Sequence, residues 1–166
     1  MERILVSSCL AGRRVRYDGA AKPVGADLFE RWRTEGRLIP FCPEVSGGLA
    51  VPRPPAEIVG GDGHAVLDGT AHVRTDAGED VTTEFLRGAR LALDTARRSG
   101  ARIALLKEGS PSCGSDRIYD GTFTGTPMSG DGVTTALLER AGIRVFSEND
   151  LDAVDALLQT LEATGS

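Results

Sequence analysis

The chain is poor in residues that stack, bridge or span. Aromatic side chains make up only 5% of its 166 residues, too few for the aromatic platforms on which proteins stack single-stranded bases. Net charge is −5, so no whole-molecule field draws the protein to nucleic acid. Arg13, Arg14 and Arg16 near Cys9 form a local exception, for which a solvated loop is the simpler account. No apolar run approaches the roughly 20 residues that span a bilayer. The opening Met1-Glu2-Arg3-Ile4-Leu5-Val6 enters a strand pattern directly, without the cationic segment and apolar stretch of a signal peptide. A cytoplasmic location with no membrane partner is therefore expected.

Close cysteine pairs are also missing. There are three cysteines, Cys9, Cys42 and Cys113, and no CxxC. A structural zinc site usually takes four ligands, often in close pairs, and a thioredoxin-like dithiol needs the pair itself. An odd count in a reducing compartment does not suit a disulfide framework. Histidine is limited to His64 and His72, both expected at the surface. Gly60-Gly61-Asp62-Gly63 and Gly130-Asp131-Gly132 do not follow strands as phosphate-binding loops do. Only the stretch 130–133, opening a helix, keeps a weak phosphate-cradling signal.

What is present is an alternation of strand and helix patterns. Residues 3–7, 38–41, 102–106 and 143–146 read as short buried strands. Residues 26–35 carry Leu28, Phe29 and Trp32 at helical spacing, with Gly36 as a stop. Residues 80–99 form the longest predicted helix, striped by Val81, Phe85, Ala89, Ala92, Leu93 and Ala96 and ended by Gly100. Residues 133–141 are helical, and Asn149 is expected to cap a last helix with Leu151, Val154, Leu158 and Leu161 facing inward. Residues 64–73 read as a β-hairpin turning at Asp68-Gly69. The Gly- and Pro-rich stretch 42–63 reads as a long structured loop, usually a functional feature in a compact domain. The expected architecture is α/β: one domain over residues 1–166, with a mainly parallel Rossmann-like sheet, flanking helices and a small β-hairpin insertion.

The cysteines gain meaning from that architecture. Each lies just past an apolar run, in a loop rich in turn residues: Cys9 after Ile4-Leu5-Val6, Cys42 after Leu38-Ile39-Pro40-Phe41, and Cys113 within Ser110-Pro111-Ser112-Cys113-Gly114. The carboxyl ends of parallel strands share one edge, where ligands bind, so three thiols distant in sequence converge there. One free cysteine is ordinarily a small buried hydrophobe, but all three lie outside the apolar runs. Convergent thiolates without a close pair suit an iron–sulfur cluster with one iron left open.

Glu44 stands beside this centre, where a carboxylate can serve as general acid or base; alone it would pass for a surface glutamate. Ser110 and Ser112 flank Pro111, and their hydroxyls and amides can hold an anionic sulfur or simply build a turn. Lys107 can reach the same edge or remain solvated.

Several of these motifs resemble a known family. Ser7-Ser8-Cys9-Leu10-Ala11-Gly12, Arg16-Tyr17-Asp18-Gly19, Cys42-Pro43-Glu44 with Gly47-Gly48-Leu49 and Pro52-Arg53, and Ser110-Pro111-Ser112-Cys113-Gly114 with Ile118-Tyr119-Asp120-Gly121 look like the thiouracil desulfurases. That family was long catalogued as domain of unknown function 523, and the resemblance runs from residue 4 to 148. It implies a compact α/β protein whose Cys9, Cys42 and Cys113 hold a [4Fe-4S] cluster with one iron free of protein ligands. It also implies Glu44 as the catalytic carboxylate and Ser110 as the catalytic serine. Gly48 and Ser112 are expected beside the substrate, and Arg13, Arg14 and Asp131 are variations that would alter substrate choice. Some relatives carry an additional C-terminal domain, which this chain is expected to lack.

The activity so implied is non-redox, hydrolytic removal of sulfur from a thiolated pyrimidine base or nucleoside, giving the oxo base and hydrosulfide. Thiolated tRNA offers the same C–S unit but is disfavoured by the acidic balance. A non-catalytic iron–sulfur sensor or sulfur carrier is the alternative, and a zinc-binding structural module a third.

Overall fold

The computed structural model describes residues 1–11 and 27–163. The arginine run at 13–16, the Arg16-Tyr17-Asp18-Gly19 motif and the expected helix start at 26 lie outside the described residues. In chain order the elements are β1 (Ile4–Ser7), α1 (Asp27–Thr34), β2 (Leu38–Phe41), α2 (Pro43–Ser46), β3 (Ala56–Val59), α3 (Gly63–Leu67), β4 (His72–Thr75), α4 (Thr82–Ser99), β5 (Ile103–Leu106), β6 (Arg117–Tyr119), β7 (Pro127–Ser129), α5 (Val133–Arg140), β8 (Arg144–Ser147) and α6 (Leu151–Ala163).

Strands β1 and β5 are buried along their whole length and, Ser7 apart, apolar, the pattern of parallel strands covered on both faces. They lie at the centre of a four-stranded sheet of order β2-β1-β5-β8. Every pairing in it is parallel, with Ile4 opposite both Leu38 and Ile103 and Leu105 opposite Phe146. Strand alternation sends Ile4, Val6, Ile103 and Leu105 to one face, against Phe29 and Trp32 of α1 and Val154 and Leu158 of α6. Leu5, Ala104 and Leu106 go to the other, against Ala92 and Ala96 of α4 and Leu138 of α5. Burying each large aliphatic side chain contributes roughly 1.5–3 kcal/mol. The α/β expectation is thereby met. Among the described residues, no helix is long and apolar enough to cross a membrane.

The insertion between β2 and α4 differs from the expectation in two ways. The stretch 42–63 is not all loop: it contains α2 and β3. The hairpin exists, but β4 pairs antiparallel with β3, Ile58 opposite Val73, rather than with residues just before Asp68-Gly69. Between them stands α3, whose start is fixed by Asp62 accepting the Ala65 N–H at 3.2 Å. Gly69, at φ +85°, follows the end of that helix. A glycine with positive φ serves a helix stop as well as a primed turn, and the Asp62 cap decides for the helix.

A second small hairpin, β6 with β7, had no counterpart in the sequence reading. At the last helix Asp150, not Asn149, immediately precedes α6, and its carbonyl accepts the Val154 N–H at 3.1 Å. The Asn149 N–H goes instead to the Ser147 hydroxyl.

Helix α2 has only four residues, too few to stand without tertiary support. It lies backbone-to-backbone on α4. A Cβ on Gly88 would stand 1.9 Å from the Pro43 carbonyl oxygen, and one on Gly47 would stand 2.1 Å from the Glu84 carbonyl oxygen. Gly88→Ala is therefore expected to lower stability by about 1–3 kcal/mol through overpacking. A urea melt checks this as a lowered midpoint at unchanged slope.

Candidate functional site

The chain leaves β1 for β2 on one side and later returns to β5 on the other. That reversal opens a crevice above the carboxyl ends of adjacent strands, the place where open α/β sheets bind ligands. A cleft of about 600 Å³ occupies it. Cys9 after β1, Cys42 after β2 and Cys113 after β5 all line it, together with Glu44, Gly48 and Ser110. Cys9 and Cys113 are buried, Cys42 is half-buried, and none is in a disulfide.

Burial pushes the Cys113 thiol far up, and the nearby charges of Glu44, Cys42 and Cys9 push the same way; a hydrogen bond from the Ser7 hydroxyl opposes them. Cys42 is raised by burial and by Glu44, against the Val45 amide and the Arg53 guanidinium. Cys9 and Cys42 are thus near enough to Cys113 to act on it, and thiols of this kind lose their protons more readily to a metal than to water. Among the described residues, no trio of His, Cys, Asp or Glu side chains is gathered tightly enough for a single ion. Three sulfur donors spread around one cleft fit a soft centre larger than one ion.

Glu44 sits in the first turn of α2 behind Pro43, a residue pre-set for helix starts. Its Oε2 accepts from Arg53 Nη2 at 2.8 Å. The Arg53 side chain is only 6% exposed, and its Nη1 also donates to the Ala50 carbonyl at 3.0 Å. The carboxylate is thus held by a bridge across the loop, from a residue that also lines the cleft. Gly48, at φ +110°, gives the wall a turn that a side chain would strain.

Ser110 folds the 110–113 turn. Its Oγ accepts the N–H groups of Ser112 at 3.0 Å and Cys113 at 3.1 Å, leaving the hydroxyl proton for a cleft ligand. Ser112 is different from the expectation. It does not line the cleft; it is fully buried, with its hydroxyl 2.7 Å from that of Thr134. Its hydroxyl faces the start of α5 rather than the cleft.

The start of α5 is committed in the same way. The amides of Gly132, Val133 and Thr134 donate to the carbonyls of Gly114, Pro111 and Ser112, so the phosphate cradle considered at 130–133 is filled by the cysteine loop itself. Asp131 lies outside the cleft and pairs with His64 at 3.0 Å, with burial raising its carboxyl. His64 is on α3 and His72 on β4, 51% exposed; neither lines the cleft. Lys107 does line it, but is not simply solvated: its Nζ is 3.0 Å from Glu148 Oε2 and donates to the Glu108 carbonyl.

Sequence reasoning missed Glu108, the buried hub of this loop. Its carboxylate accepts the N–H groups of Gly109, Ser115, Asp116 and Arg117 and the Ser115 hydroxyl. Burial alone would raise this carboxyl, but the four amides outweigh it and hold the group below its ordinary range. Arg53 was visible only as part of a motif. Its buried pairing with Glu44 depends on how the 47–53 loop closes, which spacing does not reveal.

The family model for 2-thiouracil desulfurase matches residues 4–150. The chain belongs to the 2-thiouracil desulfurase family. It is 48% identical over 151 residues to YbbK of Bacillus subtilis (strain 168), itself uncharacterized, covering 91% of this chain and 99% of that protein. A solved structure, the [4Fe-4S]-dependent thiouracil desulfidase TudS, is 52% identical, with a TM-score of 0.88 over 96% of this chain and 99% of the other. The mainly parallel sheet and its flanking helices are thus the fold shared with TudS.

The Glu108 hub carries a pH signature. A carboxyl held below its ordinary value contributes stability that is present above that value and lost as pH falls through the lower native one. Glu108→Gln, which exchanges an acceptor oxygen for a donor amide, is expected to cost about 1–3 kcal/mol at neutral pH. The gap between parent and variant should narrow as pH falls below about 4.5, the ordinary value. Urea melts at neutral and acid pH check both.

Proposed function

We propose that this protein is a desulfurase that converts a small thiolated pyrimidine, of the thiouracil type, to its oxo form with release of hydrosulfide. The observation that carries the reading is the gathering of Cys9, Cys42, Cys113, Glu44 and Ser110 on one cleft. Similarity to TudS, which is [4Fe-4S]-dependent, supports it. Cys9, Cys42 and Cys113 would hold the [4Fe-4S] cluster. With three thiolates for four irons, the bound cluster would supply one iron as a Lewis acid for the soft thiocarbonyl sulfur.

The remaining chemistry belongs to the chain. Overall, the oxygen of one water bonds to the ring carbon, the C–S bond breaks, and sulfur leaves with the electron pair as hydrosulfide; no electrons are exchanged. Glu44, fixed in orientation by Arg53, accepts a proton from the attacking water. Ser110, whose oxygen is engaged by two amides, directs its hydroxyl proton into the cleft and passes it to or from the base. A cleft of about 600 Å³ is of the size that encloses small ligands, favouring a free base or nucleoside over thiolated tRNA.

Two sets of variants test this under anaerobic conditions. Replacing any one of Cys9, Cys42 or Cys113 with Ala should remove most of the iron and the brown colour, to a similar extent at each position. Full iron retention in Cys113→Ala would defeat the proposed ligand set. Glu44→Gln should keep near-parent iron while turnover of 2-thiouracil falls by roughly 10²–10⁴. Ser110→Ala should also keep iron and lose turnover less severely, since water can replace part of a hydroxyl. Hydrosulfide release at the parent rate from Glu44→Gln would remove Glu44 from the proton transfer, whereas iron-loaded parent protein that releases no hydrosulfide from any thiolated base would favour a sensor or sulfur carrier.

A further inference from the structure

The groups assigned so far act on the C–S bond and leave the flat ring of a thiouracil-type substrate unheld. Among the described residues, Phe41, Phe85 and Tyr119 are the aromatic side chains that line the cleft. Two of them are committed to the core. Phe85 is buried with Ile58 and Ile118, and Phe41 packs against the core that α4 and α5 cover. Tyr119 differs. It is 38% exposed, and its hydroxyl has no hydrogen-bond partner among the described residues, whereas a tyrosine that serves packing usually ties its hydroxyl to one.

Strand β6 sets where that ring stands. Ile118 points into the core, where a Cβ on Gly114 would come within 3.0 Å of its side chain. Strand alternation puts Arg117 and Tyr119 on the other face, and both line the cleft. The strand starts against the loop that carries Cys113: Glu108 accepts the Arg117 N–H at 3.1 Å, and a Cβ on Gly114 would stand 2.5 Å from the Arg117 carbonyl oxygen. Tyr119 lies two residues further on, about 7 Å along the strand, within reach of one small heterocycle. Beyond it, Glu57 Oε1 accepts the N–H groups of Gly121 at 2.9 Å and Phe123 at 3.2 Å. The strand is thus fixed at both ends relative to the cysteine loop.

We propose that Tyr119 is a specificity-determining residue, whose ring is the face on which a planar thiolated base stacks while its sulfur reaches the cysteine edge. The inference rests on the desulfurase reading and extends it to a residue outside the ligand and proton-handling sets. A π-face holds the plane of a ring and tolerates different polar edges. It therefore selects conjugated rings over saturated ones that carry the same C–S unit. The stack forms before the C–S bond reacts, so its loss should appear in KM rather than in kcat.

Anaerobically reconstituted parent, Tyr119→Ala and Tyr119→Phe are compared by iron per chain, kcat and KM, with 2-thiouracil and with its 5,6-dihydro derivative. The dihydro compound keeps the thiocarbonyl on a ring whose saturated edge offers no π-face. It is read by KM where it is turned over and by its inhibition constant where it is not. Tyr119→Ala is expected to keep parent iron and to raise KM for 2-thiouracil roughly 5- to 150-fold, with kcat changed less than about twofold. The constant for the dihydro compound should move less than about twofold, because it has no stack to lose. Tyr119→Phe keeps the ring and should return KM toward the parent.

An equal effect on both compounds, or none on either, makes Tyr119 a piece of wall only and overturns the inference. A loss confined to kcat overturns it too, as does a full loss in Tyr119→Phe, which would make the hydroxyl rather than the ring the binding group. If Tyr119→Ala loads too little iron to assay, Tyr119→Leu, which keeps bulk on the strand without a π-face, decides by the same comparison. Parent protein that releases no hydrosulfide from any thiolated base defeats the desulfurase reading itself, and this inference with it.

Discussion

The parallel pairing of β1 between β2 and β5 is the constraint on which the rest depends. Parallel pairing makes three strands finish at one edge, and placing β1 in the middle makes the chain turn away from it in opposite directions. The crevice is a consequence of that topology, not of any loop sequence. What the loops add is chemistry: a thiol after each strand, a carboxylate in the first turn of α2, and a hydroxyl at the head of the last loop. The strands are short, four residues each, so the backbone that delivers the thiols is held within a few residues of the buried core.

Loops of that kind need their own fasteners, because backbone amides buried beside a cleft cannot all be left to water. Glu108 gathers the amides of the loop on one carboxylate, the start of α5 satisfies its carbonyls, and Ser110 closes the turn that carries Cys113. On the opposite wall, the contact of Gly88 with Pro43 seats α2 and thereby Cys42 and Glu44. Each wall is rigid for a different reason, one through hydrogen bonds to a single charge and the other through close backbone packing. Between them the two fasteners hold Cys42, Glu44 and Ser110 on the cleft wall.

The sheet and its main helices were legible because they rest on periodicity. The stripe from Phe85 to Ala96 and the apolar runs at β1 and β5 are one-dimensional signals of two-sided burial. Convergence of the cysteines was legible for the same reason, since strand ends can be counted before the fold is seen. The Asp68-Gly69 turn was misread because a positive-φ glycine ends helices as well as hairpins, and the deciding Asp62 cap lies outside the dipeptide. Ser112 was misplaced because facing direction within a tight turn depends on which hydroxyl closes it, a matter of torsion rather than spacing. Glu108 gave no sequence signal at all: its four amide partners are local, but only the folded loop turns them toward one point.

The electrostatics of the cleft explain why Arg53 belongs to the design as much as Glu44 does. Three thiolates and a carboxylate in one half-buried crevice would repel one another, and the upward push of Glu44 on both Cys113 and Cys42 expresses that repulsion. Without metal the thiols escape it by keeping their protons, which lets the frame form around neutral sulfur. Glu44 has no such escape if it is to take a proton from water, so it needs a fixed cation. A buried guanidinium with one nitrogen on the carboxylate and another on the Ala50 carbonyl meets that need without entering the ligand set. Arginine suits the place better than lysine, because its planar fork reaches both acceptors at once and stays charged when buried. Under the proposed function, negative charge in the crevice would be divided between two partners, a metal for the sulfurs and Arg53 for the oxygen. That division would keep the carboxylate available for water while the sulfurs are engaged.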